Sequence, residues 1–420
     1  MNNIKSTVVP SLLLAAALGA PSVAADEADK ATNLAEAIKE GDVTLSLRLR
    51  YEDVEQETSS GSDKEADSFT LKTRLTYKTA DYQGFSALVE MDDVTELDSV
   101  DYNTAPNDSS FPDAAIIADP EGTEVNQAWL AYKFGKNTLT YGRQRILLDN
   151  QRFVGGVGFR QNEQTYDGIS FKSKALKDTE IFVAHINRVN RIFGEDSALG
   201  DHDNSTVLLN VSYSGLPIGK LTGYHYNIDN DNVANMSTKT TGVRLAGKHK
   251  QLGYNLEYAT QSDAHDNSRR YDADYFLLEG SAKLGAFNFK LGHEVLGADG
   301  DDGYFITPLA TLHKFQGWSD KFLNKGVGNV TGGLTDTYAS VGTKVAGVKL
   351  ALVYHMISAD DDSAAGTDDY GREFGFVATR KFGPVTLNLK YADFSEDVDS
   401  TALTQVTDTS KLWLTASAKF

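Results

Sequence analysis

Four arginines fall within the stretch GRQRILLDNQRFVGGVGFR, at Arg143, Arg145, Arg152 and Arg160, against one acid, Asp149. A guanidinium is planar, permanently charged and presents paired donors that match a carboxylate. The chemistry such a cluster does is anion recognition, and it stands out in a chain of net charge −19. Residues for bond-making are thin. The 8 histidines are scattered, and HEVLG at His293 opens like a zinc motif without its second histidine. No G-x-S-x-G and no phosphate-binding loop occurs. With 0 cysteines there is no disulfide framework, thiolate site or Cys nucleophile. The runs Asp360-Asp361-Asp362 and Asp299-Gly300-Asp301-Asp302 lack the spacing of a calcium loop and read as solvated loop surface. The expectation is no catalytic residue, no metal, no cofactor and no enzymatic activity. The acidic balance disfavours nucleic acid as a partner.

The elements that must position the arginines alternate. In DVTLSLRLRYE, Val43, Leu45, Leu47, Leu49 and Tyr51 take one phase, and Thr44, Ser46, Arg48, Arg50 and Glu52 the other. In SFTLKTRLTYK, Phe69, Leu71, Leu75 and Tyr77 oppose Lys72, Arg74, Thr76 and Lys78. A strand sends alternate side chains to opposite faces, so each such segment has one oily and one polar face. About 18 segments of this kind recur, each roughly the 9–11 residues a tilted strand needs to cross a bilayer. Short connections such as GKN, LGA, VAG and FGP alternate with long ones such as 92–123 and 297–333. The expected fold is all-β: a transmembrane antiparallel β-barrel of about 18 strands, with short periplasmic turns and long extracellular loops. The chain opens on Lys5, a 13-residue apolar run from Val8 to Ala20, and small residues at Ser22-Val23-Ala24-Ala25, the pattern of a secretory signal peptide. The expected division is residues 1–25 as signal peptide, 26–41 as a short periplasmic segment and 42–420 as the barrel. The closing Phe420 is in phase with Leu412 and Leu414, an ending like the one read by the outer-membrane barrel-assembly machinery. The expected location is the Gram-negative outer membrane, with lipid and lipopolysaccharide as neighbours.

A lysine or arginine facing lipid at the midplane costs roughly 2–4 kcal/mol, so Arg48, Arg50, Lys72, Arg74, Arg244 and Lys290, all opposite the oily phase, point to the lumen. Arg143 and Arg145 share the phase of Leu139 and Tyr141. A bulge at Gly142 would flip them inward; the alternative places them near the outer rim. Arg152 and Arg160 lie in a Gly-rich loop expected to fold into the mouth. These ten residues are the candidate pore-lining, anion-binding set. The opposing reading is that they pair with carboxylates across the wall and hold its shape. Phe315, Trp318 and Phe322 are spaced as one face of a short helix and are candidates for a loop constriction or sugar contact, or for self-packing of the loop.

At YGRQRILLDNQRFVGGVGFRQNEQTYDGISF and LHKFQGWSDKFL, together with LAEAIKEGDVTLSLRLRYE near the start, the chain resembles the alginate-export family of outer-membrane channels. The resemblance implies an 18-strand barrel with an arginine- and lysine-lined pore passing an anionic polysaccharide. It implies that Arg143 and Arg145, then Arg48, Arg50 and Arg74, belong to that lining. The chain departs from the family's dedicated exporter in having only short periplasmic turns. The expected function is passive diffusion of anionic saccharide, an alginate-like polymer or oligomer. The alternative is a general porin for small hydrophilic or anionic solutes, and beyond it a non-conducting adhesin or an outer-membrane hydrolase.

Overall fold

The computed structural model describes residues 31–58, 63–98, 101–398 and 403–420; the expected signal peptide lies outside them. Eighteen strands form one antiparallel sheet. They are β1 (Asp42–Glu57), β2 (Asp63–Lys78), β3 (Phe85–Glu96), β4 (Gly122–Phe134), β5 (Asn137–Gln144) and β6 (Thr165–Ser173). Then come β7 (Thr179–Asn190), β8 (Asp201–Leu216), β9 (Gly219–Ile228), β10 (Thr238–His249), β11 (Leu252–Asp263) and β12 (Asp272–Leu284). The last are β13 (Phe287–Leu296), β14 (Leu334–Val345), β15 (Val348–Ser358), β16 (Asp369–Phe382), β17 (Val385–Glu396) and β18 (Thr409–Lys419). Each strand pairs with its neighbours in sequence, and β1 pairs with both β2 and β18, which closes the ring. Closure leaves no edge, so every backbone N–H and C=O of the wall finds a partner without water.

The outward phase is exposed and apolar: Tyr141 at 68%, Leu291 at 67%, and Val43, Leu130, Leu256, Leu278 and Leu387 with them. A belt of this size is stable only against lipid. Stacked rings mark its short-turn edge, where Phe85 and Tyr132 lie 4.5 Å apart and Tyr132 and Phe134 5.5 Å apart. Turns on this side are tight. Ala346 and Gly347, at φ +48° and +85°, make the primed turn that matches strand twist. Phe420 exchanges both backbone hydrogen bonds with Leu45, at 2.8 and 3.1 Å. The helix α1 (Leu34–Lys39) is capped by Asn33, whose side chain accepts from the Glu36 N–H at 2.9 Å. It docks under the short-turn side, where Ala80 N–H donates to Ala37 O at 3.0 Å.

The long connections lie on the opposite side. Two of them, 145–164 and 297–333, turn into the barrel and meet there. Val154 and Leu309 form a parallel bridge, Gly155 N–H donates to Leu309 O at 2.8 Å, and Thr311 N–H donates to Gln151 O at 3.0 Å. The main apolar core is therefore inside the barrel: Phe153, Val154, Phe305, Leu309 and Phe322 of the loops pack on Tyr166, Leu208, Tyr224, Tyr275 and Phe394 of the wall.

Candidate functional site

The inner wall of β1–β3 is a lattice of ion pairs. Arg74 grips Asp92 with two bonds of 2.6 Å and reaches Glu163 of the 145–164 loop at 2.8 Å. Lys72 lies 3.0 Å from Asp92. Arg145 spans Glu90 at 2.9 Å and Glu163 at 2.5 Å. A bulge in β4 sets Asn126 and Gln127 side by side, so both amides donate to Glu90, at 2.7 and 2.9 Å. Nearer the mouth, Arg160 donates to Glu52 at 2.9 Å and to Asp320 at 3.1 Å, and Arg50 lies 3.4 Å from Asp119. Arg152, 0% exposed, is bound to Glu294 at 2.8 Å and to Thr307 at 3.1 Å. Arg244 pairs with Glu257 at 2.6 Å and Lys290 with Glu279 at 2.8 Å. Arg152 and Arg160 thus tie the loop to the wall.

Two sequence expectations are corrected by the register. Gly142 holds no bulge: it pairs with Trp129 and Gly168 in unbroken register, so Arg143 keeps the outward phase of Tyr141. There it binds Asp167 at 2.9 and 3.2 Å, near the extracellular end of β5. The glycine has another cause, since a β-carbon at its φ of +119° would collide with the Ala128 carbonyl. Arg145 reaches the lumen because β5 ends at Gln144 and the chain turns inward. Second, no helix presents Phe315, Trp318 and Phe322 on one face. The helical turn is only Leu312–Lys314, and Gln316, Gly317 and Asp320 take positive φ. The three rings do not share one face, and Phe322 parts from the other two. Phe322, 2% exposed, packs on Tyr370 and Phe394. Phe315 lies over Arg152 at 4.7 Å, and Trp318 under the Lys390 ammonium at 4.1 Å.

Phe159, His313, Lys390 and Trp413 form a cluster that sequence reasoning missed. Phe159 stacks on His313 at 3.8 Å and meets Trp413 at 5.6 Å, with Arg50 over its face at 4.3 Å. Lys390 Nζ lies 2.7 Å from His313 Nε2 and 4.5 Å from the Phe159 ring. Burial pushes the His313 imidazole down to about 3, so at neutral pH it accepts from Lys390 and donates from Nδ1 to Asp320 at 2.7 Å. The strand phase of Lys390 was a usable signal; its aromatic partners come from the loops. Among the described residues, Arg48, Lys314, Lys321 and Lys390 have no carboxylate at salt-bridge distance. Arg48 donates to the carbonyls of Phe159 and Arg160, Lys314 to that of Asn150, and Lys321 to Thr407 and Thr409. With Arg191, these are the interior cationic side chains that lack a carboxylate partner among the described residues.

On the β10–β16 side a chamber of about 440 Å³ remains open. Phe315 and Trp318 line it together with Arg244, Lys290 and Lys314, and Glu279, Glu294 and Asp336 face them. Rings beside cations in a hydrated chamber suit a sugar face and its carboxylate.

The loop ties resist acid. Burial alone would raise the Glu163 carboxyl, but Arg74 and Arg145 hold it down at about 2. Asp320 is held well below the usual range against its burial by His313, Lys411 and Arg160. A carboxylate depressed on folding contributes stability above its unfolded value, here 4.5 for Glu163, and loses it as pH falls through the folded value. Single-channel conductance, normalised to bulk conductivity, is therefore expected to stay flat from pH 7 to about 4.5 and to change only below that. A step between pH 7 and pH 5 would show that other groups hold the loop.

Residues 40–295 match the family described as alginate export. No curated protein matches the chain. Among solved structures, OccAB2 of Acinetobacter baumannii superposes with a TM-score of 0.69 at 18% identity, covering 91% of this chain and 98% of that one. OccK9 (OpdG) of Pseudomonas aeruginosa does so with 0.69 at 13% identity, covering 91% and 99%. OccAB4 of Acinetobacter baumannii gives 0.65 at 15% identity, covering 90% and 98%. At such identities the likeness establishes a shared fold. With the match over more than half its length, and with a closed 18-strand barrel girdled by apolar side chains, this chain belongs to the alginate export family of integral outer-membrane channels.

Proposed function

We propose that the channel passes anionic saccharides of oligomer size, alginate-like in carrying a carboxylate on each sugar, by passive diffusion and without making or breaking a bond. The observation that carries this reading is the chamber where Phe315 and Trp318 stand beside Arg244, Lys290 and Lys314. Cations lining a pore favour anions, and flat rings offer a sugar its apolar face. The bonded junction of the 145–164 and 297–333 loops favours oligomers over polymer, and equally supports the second reading, a porin for small anions. In the same proposal, residues 1–25 are removed on export, 26–41 remain periplasmic, and Phe420 is read by the assembly machinery.

The test is ion selectivity and block in planar bilayers. Lys290→Glu with Lys314→Glu is expected to shift the reversal potential toward cations, whereas Arg143→Glu, on the outer face, leaves it unchanged. Uronate trisaccharides are expected to block the current and neutral trisaccharides not. Equal block by both would remove the saccharide-anion reading, and an unchanged reversal potential in the double variant would take these cations out of the pathway.

A further inference from the structure

At the extracellular mouth lies a second cavity, of about 380 Å³, built by residues of five connections, within 106–118, 157–164, 191–193, 308–326 and 404–405. It is more apolar than the chamber below. Ile116, Ile192, Phe193, Leu312 and Leu323 line it on one part of its wall, and Gln56, Gln164, Asn324, Lys321 and Lys411 on another. The apolar part suits an alkyl or aryl body better than a hydroxyl-covered sugar, because each hydroxyl buried there without a partner costs about 1–3 kcal/mol.

Arg191 is the second observation. Its side chain borders this cavity, is 8% exposed, and among the described residues has no carboxylate at salt-bridge distance and no side-chain hydrogen bond. Its neighbour is the Phe193 ring, 5.5 Å from the guanidinium carbon. Burial pushes the guanidinium down to about 10, which leaves it charged at neutral pH. Gly326 makes its berth: the glycine holds φ +97°, and a β-carbon there would collide with Arg191 Nη2. The acid in the cavity wall, Asp320, is already bound by His313 at 2.7 Å and by Lys411 and Arg160 at 3.1 Å. A buried, unpaired guanidinium is costly unless a counter-ion arrives from outside. A ligand for this cavity therefore needs one anionic end and an apolar body.

We propose that the mouth cavity is a binding site for an amphiphilic carboxylate, an alkyl or aryl chain whose –COO⁻ pairs with Arg191 while its body lies among Ile116, Ile192, Phe193, Leu312 and Leu323. An occupant bridges five loops and stands across the mouth, so it slows the current from the extracellular side. The site is independent of which anion the lower chamber passes.

The experiment is calorimetric titration of the refolded full-length channel with 4-phenylbutyrate, with 4-phenylbutanol and glucuronate as controls, paired with current recording in bilayers. Saturable binding of 4-phenylbutyrate alone is expected, with block from the extracellular side. Arg191→Met, which removes an uncompensated charge and keeps the fold, is expected to weaken binding at least tenfold. Gly326→Ala, which retains the arginine but displaces it, is expected to weaken binding as well. Absence of saturable binding to the wild type, or equal affinity in both variants, overturns the proposal; equal binding of the alcohol overturns the role of Arg191. Anion selectivity measured in the same bilayers is a separate readout. Selectivity without 4-phenylbutyrate binding sinks this site and spares the transport reading, and the reverse result does the opposite.

Discussion

Arg160→Met is expected to destabilise the barrel by about 3–5 kcal/mol, the cost of stranding a buried charge. Glu52 is 0% exposed, and among the described residues both of its side-chain hydrogen bonds come from Arg160, at 3.0 and 2.9 Å. Methionine would fill the space and leave that carboxylate in an enclosed site with no donor. Asp320 would lose one of three partners and keep His313 and Lys411. The loss should therefore concentrate on Glu52, and adding Glu52→Gln should restore most of it, since a neutral amide tolerates the site better than an ion. Urea unfolding followed by tryptophan fluorescence and by heat-dependent gel mobility measures both. The same substitution removes one tie between the 145–164 loop and β1, leaving the Arg48 bonds to the Phe159 and Arg160 carbonyls, so single-channel conductance should become larger or noisier. A loss below about 1 kcal/mol, the scale of an exposed pair, would mean that water reaches Glu52 and that the loop is held elsewhere.

Leu291→Arg is the second large effect. Leu291 lies mid-strand in β13 on the outward face and is 67% exposed. An arginine there meets hydrocarbon at a cost of roughly 2–4 kcal/mol. Asn288→Arg, on the inner phase of the same strand, places the same cation beside water and should stay within about 0.5 kcal/mol of the parent. Refolding into bilayers at graded urea separates the two. Equal destabilisation by both would contradict the assignment of faces, and with it the membrane orientation of the whole sheet.

Some of the charged lumen was legible from phase alone. Arg48, Arg50, Lys72, Arg74, Arg244 and Lys290 oppose oily residues in their strands, and all but Arg48 meet carboxylates: Asp119, Asp92, Glu257 and Glu279. Arg143 was misassigned because a glycine within a strand has two physical causes, a bulge or a close backbone approach, and a sequence does not distinguish them. The helical spacing of Phe315, Trp318 and Phe322 misled because periodicity over eight residues cannot outweigh a loop whose path is set by anchors elsewhere: Glu373 accepts from the Ser319 N–H at 2.8 Å, and Lys321 donates to Thr409 at 2.8 Å.

What the sequence determined by itself was the wall: alternation with period two, strand length, short and long connections in turn, and the side that meets lipid. These are local properties, carried by each residue's own phase and by the cost of charge in hydrocarbon. What only the tertiary structure decided was the interior, because its pairs join residues far apart in the chain. Arg160 and Glu52 are separated by 108 positions and Arg152 and Glu294 by 142. Ring closure and two inward loops bring them together, so which cations are neutralised and which stay free, Arg191 and Lys390 among them, follows from the path of the loops. No strand pattern encodes that path.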